Sequence, residues 1–319
     1  MKRFFALFKK VNGMKVLKEY ANSGVLFLAL TLTVVLGFSK KALEIVRNAC
    51  TLRIYKKLYK KYKGQIENYN PTETNMESSN IVWVCWFQGI ENAPPLVKLC
   101  YASICKHLSD KQIILITEQN YKEYTNFPSY ILEKYEAGII TKTHFSDLLR
   151  IELLATHGGT WIDATVFCSE PCVQHGFMLN SELFFFQILK PGLDGNPLAV
   201  SSWFLSAKSA NPIILLTRDL LFSYWKTYNR LLDYFLLHMF FQMALEKYPE
   251  IHANVVPVDS SLPHILLLRM YEPFNQNIWE ATKNSTPFHK LSYKNMQEIT
   301  EQSYYHQILE KEGIGVACD

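Results

Sequence analysis

Two apolar runs, IVWVCWF at 81–87 and QIILIT at 112–117, enclose a helical pattern that opens at Pro94 and Pro95 and continues to about His107. Seven apolar residues in succession, without the alternation of a half-exposed strand, suit a strand covered on both faces, as in a parallel sheet. Strand, helix and strand then form a βαβ unit, which favours an open α/β sheet whose ligands sit at the carboxyl ends of the strands. Gln88 and Gly89 end the first strand and stand at that edge. The 319 residues, 49% of them apolar, are enough for a well-buried core and exclude a disordered chain. The 20 Phe, 18 Tyr and 6 Trp suit that core and a pocket lined by rings.

Further elements follow: helices near 129–136 and 144–156, a strand at WFLSAK (203–208), a helix at NPIILLTRDLLFSYWKTY with Pro212 in its first turn, and another over 234–248. There is no internal repeat. The polar tract QIENYNPTETNMESSN at 65–80, with Pro71, reads as a linker, so 81–319 is expected to form one domain preceded by a separate segment, 1–64. The seven cysteines contain no CxxC pair and no zinc-like histidine spacing. They read as free thiols in a reducing compartment, with Cys168 and Cys172 the one pair close enough to consider for a disulfide or a metal.

Charge is divided unevenly. Residues 1–64 hold 15 Lys and Arg against Glu19 and Glu44, a net +13, while 65–319 carry −9 and the whole chain +4. Nucleic acid is a conceivable partner for so basic a segment, but the uncharged stretch 20–39 lies inside it and favours an anionic membrane surface instead. That stretch is about the minimum length of a spanning helix, and its strongly apolar part covers only 25–38. Basic residues flank it on both sides, so charge does not orient a single span. An interfacial or re-entrant helix is expected ahead of a simple transmembrane anchor, with a helical hairpin packed on the protein as the alternative. The membrane readings leave the rest of the chain on the cytoplasmic side of the cell membrane.

The stretch THFSDLLRIELLATHGGTWIDATVF, 143–167, carries the chemistry. Its helix is apolar around most of its circumference, yet Asp147 and Arg150 lie three apart on one face, where their side chains can meet. Such a pair is either a core ion pair that fixes the helix or part of a site. Gly158 and Gly159 end the helix and TWIDATVF re-enters the sheet. Period two puts Trp161, Asp163 and Thr165 on one face, with Asp163 presented where the strand leaves the core. A carboxylate there suits a hard divalent cation, Mg²⁺ or Mn²⁺, bridging two phosphates.

WVCWFQG at 83–89, SDLLR at 146–150 and GGTWIDA at 158–164, with sixteen positions from Asp147 to Asp163, resemble the capsular polysaccharide synthesis protein family. That family is similar to the retaining, DxD-containing glycosyltransferases that include yeast mannosyltransferases and clostridial glucosylating toxins. Weaker likeness continues through SSWFLSAKSANP, DYFLLHMFF and TPFHKLSYK, so the resemblance covers about 81–294.

The resemblance implies a GT-A fold with a mostly parallel sheet, a nucleotide-sugar donor, and transfer with retention to a glycan or lipid-linked glycan acceptor such as a growing capsular or other surface polysaccharide. Asp163 matches the first Asp of DxD and would contact Mn²⁺ or Mg²⁺ and the donor. Asp147 and Arg150 match the pair on the donor sugar, and Trp86 an aromatic that stacks on the base. Thr165 replaces the second Asp of DxD, which keeps open a second reading: a noncatalytic nucleotide-sugar-binding component of an assembly complex. In HKLSYK, His289, Lys290 and Lys294 offer basic groups for a diphosphate or else form a solvated turn. Asp233 and His238 lie five apart and either line the acceptor side or sit in the core, and His264 has the same two readings. A hydrolase finds no support, since neither GxSxG nor HExxH occurs.

Overall fold

The computed structural model describes residues 13–71, 75–190, 192, 195–294 and 296–310, and the parts of the expected segments at 1–12 and 311–319 lie outside the described residues. The βαβ unit forms as β1 (Ile81–Cys85), α4 (Pro95–His107) and β2 (Gln112–Ile116), which follow α1 (Gly13–Ser23), α2 (Leu26–Leu36) and α3 (Lys40–Glu67). β1 and β2 are parallel, from Ile81 opposite Gln112 to Cys85 opposite Ile116. Next come α5 (Ser129–Glu136), α6 (Lys142–His157), β3 (Gly159–Ile162), β4 (Val166–Cys168), β5 (Leu183–Gln187), β6 (Val200–Ala207), α7 (Pro212–Thr227) and α8 (Leu236–Lys247). α9 (Gln276–Ser285) and β7 (Phe288–Lys290) complete the elements that matter for the site.

The central sheet has the order β2-β1-β3-β6-β5, and only β6 runs against the rest. The protein is therefore mixed α/β with a mostly parallel sheet. Alternation along the strands divides the core in two. Trp83, Trp161, Phe185 and Leu205 face the layer of α6, α7 and α8, whereas Val82, Val84, Ile162, Phe184 and Phe204 face the layer that holds Val97 and Ile104 of α4. Each such side chain, once fully buried, contributes about 2 kcal/mol from lost apolar surface.

Two glycines join α6 to β3, both in the left-handed region, Gly158 at φ 65° and Gly159 at φ 93°. A Cβ at Gly159 would lie 2.4 Å from the carbonyl oxygen of Ile81, so only glycine lets β3 slide beside β1.

The run TWIDATVF is not one strand. β3 ends at Ile162; the Asp163 backbone N–H still donates to the Trp203 carbonyl (2.8 Å), and then the Val166 N–H turns back onto the Asp163 carbonyl (2.9 Å). β4 leaves for a separate two-stranded antiparallel sheet with β7. Asp163 thus sits on a turn and not at the middle of a strand.

The apolar run 20–39 is also divided, because Gly24 (φ 70°) and Gly37 (φ 83°) interrupt the helices around it. α2 has 11 residues, roughly 17 Å at the helical rise, against about 30 Å of hydrocarbon. Among the described residues no helix is long and apolar enough to cross a membrane. α3 buries every fourth residue over much of its length, including Val46, Cys50, Ile54, Leu58, Tyr62 and Ile66, in the same apolar core as α7 and α8. Ser23 Oγ donates to the Leu232 carbonyl, and Lys57 Nζ donates to the Ser23 carbonyl at 2.9 Å, which ties the α1–α2 turn to both. The outer face of α2 stays open, with Phe27 84% and Val34 80% exposed. Cys50, Cys85, Cys100, Cys168 and Cys172 are free thiols, whereas Cys105 is disulfide-bonded, contrary to the expectation of free thiols throughout.

Candidate active site

The carboxyl ends of β1 and β3 open onto a cavity of about 650 Å³. Trp86 and Gln88 arrive from the end of β1, Asp147 and Arg150 from α6, Trp161, Asp163 and Thr165 from the end of β3 and its turn, and Lys290 from β7. The helix carries Asp147 and Arg150 to this wall because α6 is buried over most of its circumference.

Arg150 is the centre of the network. One guanidinium nitrogen, Nη2, lies 3.4 Å from Asp147 Oδ1 and 3.4 Å from Asp163 Oδ1, and Nη1 donates to the Ser202 carbonyl at 2.6 Å. The guanidinium also lies over the Trp161 ring, 5.0 Å from its centroid. Trp161 Nε1 donates to Asp163 Oδ1 at 2.9 Å, and His144 Nδ1 lies 3.4 Å from the other oxygen of Asp147. Arg150 is 8% exposed, and a charge so enclosed is retained only with partners of this kind.

Lys290 closes the network from the other side. Its Nζ donates to Asp163 Oδ2 and to Thr165 Oγ1, each at 2.7 Å. Burial by itself raises the Asp163 pKa, but the charges of Lys290 and Arg150 outweigh it and hold the carboxyl below its usual range. Neighbouring His289 points the opposite way, as strand alternation requires. It is fully buried against Trp279 and Phe167, its Nε2 lies 3.1 Å from Ser169 Oγ, and burial lowers its pKa to about 3.

Of the residues singled out in the sequence, Trp86, Gln88, Asp147, Arg150, Trp161, Asp163, Thr165, His238 and Lys290 line the cavity, as do His264 and Lys294. Gly89 instead borders a smaller cavity of about 380 Å³ beside Gln88 and Thr117. Asp233 lines none of these cavities; its carboxylate accepts the Phe235 N–H at 2.7 Å. Burial pushes the His238 pKa down to about 4, with Asp147 opposing, so the ring is neutral near pH 7. Three buried donors or acceptors on the wall, Trp86 Nε1, Arg150 Nε and His238 Nδ1, have no hydrogen-bond partner among the described residues, an arrangement that suits a polar ligand.

Sequence reasoning did not pick out His144, Ser202, Tyr234 or Tyr293. His144 stands one helical turn before Asp147 and could have been found by that spacing; the Ser202 carbonyl left no signal. Tyr293 meets Trp86 edge to face at 5.7 Å. A second cavity of about 280 Å³ shares Ser202, His238 and His264 with the first and reaches Arg47 and Thr51 of α3.

Mn²⁺ or Mg²⁺ asks for several oxygen ligands with net negative charge. At Asp163 there is one carboxylate and one hydroxyl, both already bonded to Lys290, with Arg150 on the remaining oxygen. Among the described residues no group of three or more His, Cys, Asp or Glu is placed to hold a metal ion. This donor set does not fit a divalent cation.

The chain is similar to O-glycosyltransferase braB of Annulohypoxylon truncatum, with 23% identity over 174 residues that make up 47% of this chain and 38% of that protein. It is also similar to O-glycosyltransferase PaGT of Phomopsis amygdali, with 29% identity over 98 residues, 27% of this chain and 24% of that one. The chain therefore spans well under half the length of these curated relatives. Among solved structures, a PaToxG glycosyltransferase aligns with 83% of this chain and 98% of its own at 19% identity and a TM-score of 0.39. The model of the capsular polysaccharide synthesis protein family matches residues 37–308, and the chain belongs to that family.

Proposed function

We propose that the protein is a glycosyltransferase of GT-A-like fold that moves a sugar from a nucleotide-sugar donor to a growing capsular or other surface polysaccharide, with retention at the anomeric carbon. The observation that carries this reading is the convergence of Trp86 with the Asp147–Arg150–Asp163 network on one cavity at the strand ends. Family membership and two relatives named as O-glycosyltransferases support the transferase chemistry.

In this reading the base stacks on Trp86, Asp147 and Arg150 hold the sugar and the phosphates, and Asp163 keeps Arg150 in place. The acceptor hydroxyl attacks from the face on which the leaving group departs. Its oxygen bonds to the anomeric carbon, the bond from that carbon to the diphosphate oxygen breaks with its electron pair going to that oxygen, and the hydroxyl proton passes to it. Such a step asks the protein for positioning and charge and needs no strong base. Neutral His238 stands where the two cavities meet and is assigned to the approach of the glycan or lipid-linked glycan acceptor.

The open apolar face of α2, beside the exposed basic residues Lys40 and Lys41, supports a seat on the anionic cytoplasmic surface of the cell membrane. Activity is tested with purified full-length protein and a panel of nucleotide-sugars, with and without Mn²⁺. Slow hydrolysis of one of them is expected, and Asp163→Ala should abolish it; equal rates in mutant and wild type would sink the assignment of Asp163.

A further inference from the structure

We propose that the ammonium of Lys290 serves this site in place of a divalent cation: held by Asp163 and Thr165, it meets the donor diphosphate, and the protein binds nucleotide without added metal. The proposal rests on the reading of the cavity as a donor site.

Its first support is the place of the charge. Lys290 Nζ lies 2.7 Å from Asp163 Oδ2 and 2.7 Å from Thr165 Oγ1, so it bridges the two positions, 163 and 165, from which two carboxylates would grip a metal. With a hydroxyl at 165, that pair of positions carries one negative charge. One negative charge balances a lysine, whereas a divalent cation would remain under-neutralised there. Two of the three ammonium hydrogens serve these partners, which leaves one N–H for a phosphate oxygen.

The second support is how firmly the charge is placed. Lys290 faces Val166 across the β4–β7 pair, and the Leu291 N–H donates to the Thr165 carbonyl at 2.9 Å. The backbone that carries Lys290 is therefore bonded to the turn that carries Asp163 and Thr165. Lys290 is 18% exposed, so its position depends little on surface side-chain freedom.

The third support is the charge of the wall. Arg150, Lys290 and Lys294 line the cavity against two carboxylates, Asp147 and Asp163, while the fourth basic residue of the lining, Lys142, is paired with Glu118 at 2.8 Å. Such a balance attracts a diphosphate directly and repels Mn²⁺ or Mg²⁺. During transfer Lys290 gives up no proton. It donates a hydrogen bond to the phosphate oxygen that receives the electron pair of the breaking bond, and the acceptor hydroxyl still supplies the proton that oxygen takes.

The test is calorimetric titration of the full chain with UDP and with GDP, in chelator and again with Mn²⁺. At least one nucleotide should bind in chelator, and Mn²⁺ should change its Kd less than about threefold. Lys290→Met should weaken that binding at least about tenfold, the equivalent of 1.4 kcal/mol, and Lys290→Arg should restore most of it. Unfolding midpoints separate a lost contact from a lost fold. The double variant K290M/T165D rebuilds a two-carboxylate site and should gain Mn²⁺-dependent binding, seen also as a bound Mn²⁺ resonance that the wild type lacks. A tenfold or larger gain from Mn²⁺ in the wild type, or unchanged binding by Lys290→Met, overturns the role of Lys290 while leaving the donor site intact. No binding of either nucleotide in any condition overturns the donor site and this proposal with it.

Discussion

At the scale of single residues, Arg150 holds the site together, since it touches Asp147, Asp163, the Ser202 carbonyl and the Trp161 face at once. Replacing it by Met leaves Asp147 to His144 alone, and the loss of stability is expected to be about 3 kcal/mol, read as a lower urea midpoint. Arg150→Lys keeps a charge but loses the planar fork. It should recover most of that midpoint while nucleotide-sugar hydrolysis stays down by about a hundredfold or more. The histidines give a pH signature. His238 and His289 titrate in the unfolded chain near 6.5, but burial lowers them to about 4 and about 3 when folded. Below pH 6.5 the unfolded chain binds the extra protons, so stability present above that pH is lost as pH falls toward 4 and 3. Between pH 7 and pH 5 each histidine should cost roughly 2 kcal/mol, and His289→Phe should flatten the dependence of the urea midpoint on pH. Asp163 adds little to this dependence, because Lys290 and Arg150 hold its carboxyl below the usual range.

At the scale of elements, the pairing of α6 with β3 sets the geometry. Gly159→Ala would press a methyl group to 2.4 Å from the Ile81 carbonyl oxygen at a φ that favours glycine. It should lower the thermal midpoint by about 10 °C or more, on a cost of a few kcal/mol; an unchanged midpoint would mean that β3 does not need this close approach. The buried helix, the glycine pair and the apolar strand were legible because each follows from local periodicity and backbone freedom. The end of β3 at Ile162 was not. Asp163, Ala164 and Thr165 continue the alternating pattern in sequence, and the chain turns only because β4 finds β7, more than a hundred residues later. The same distance explains why His289 and Lys290 could not be told apart. In a strand they face opposite ways, but which one faces Asp163 depends on the register of a strand pair that no local signal reports.

At the scale of the whole molecule, the basic segment and the sheet domain share a core, since Ile54, Leu58 and Tyr62 of α3 pack with α7 and α8. The polar tract at 65–80 reads as a spacer in sequence, but the chain folds back across it. α2 adds Ala29 to that core but leaves its outer face open, with Phe27, Val34 and Val35 exposed. The proposed membrane seat predicts that the full chain co-sediments with phosphatidylserine-containing vesicles and less with neutral ones, and that added salt weakens the binding. V34D/V35D should reduce the bound fraction by about tenfold or more, from the apolar surface it removes. Equal binding by the variant would detach α2 from any such role.

By itself the sequence determined an α/β sheet begun by a βαβ unit, a buried helix with Asp147 and Arg150 on one face, and an aspartate where a strand leaves the core. These are consequences of periodicities two and 3.6, of glycine, and of the cost of burying a charge without a partner. Only the tertiary structure decided that Lys290, 127 positions from Asp163, lies against it, that His289 does not, and that α3 completes the core. Contacts between distant segments depend on strand register and helix packing, which depend on the whole apolar core and on no single stretch of it.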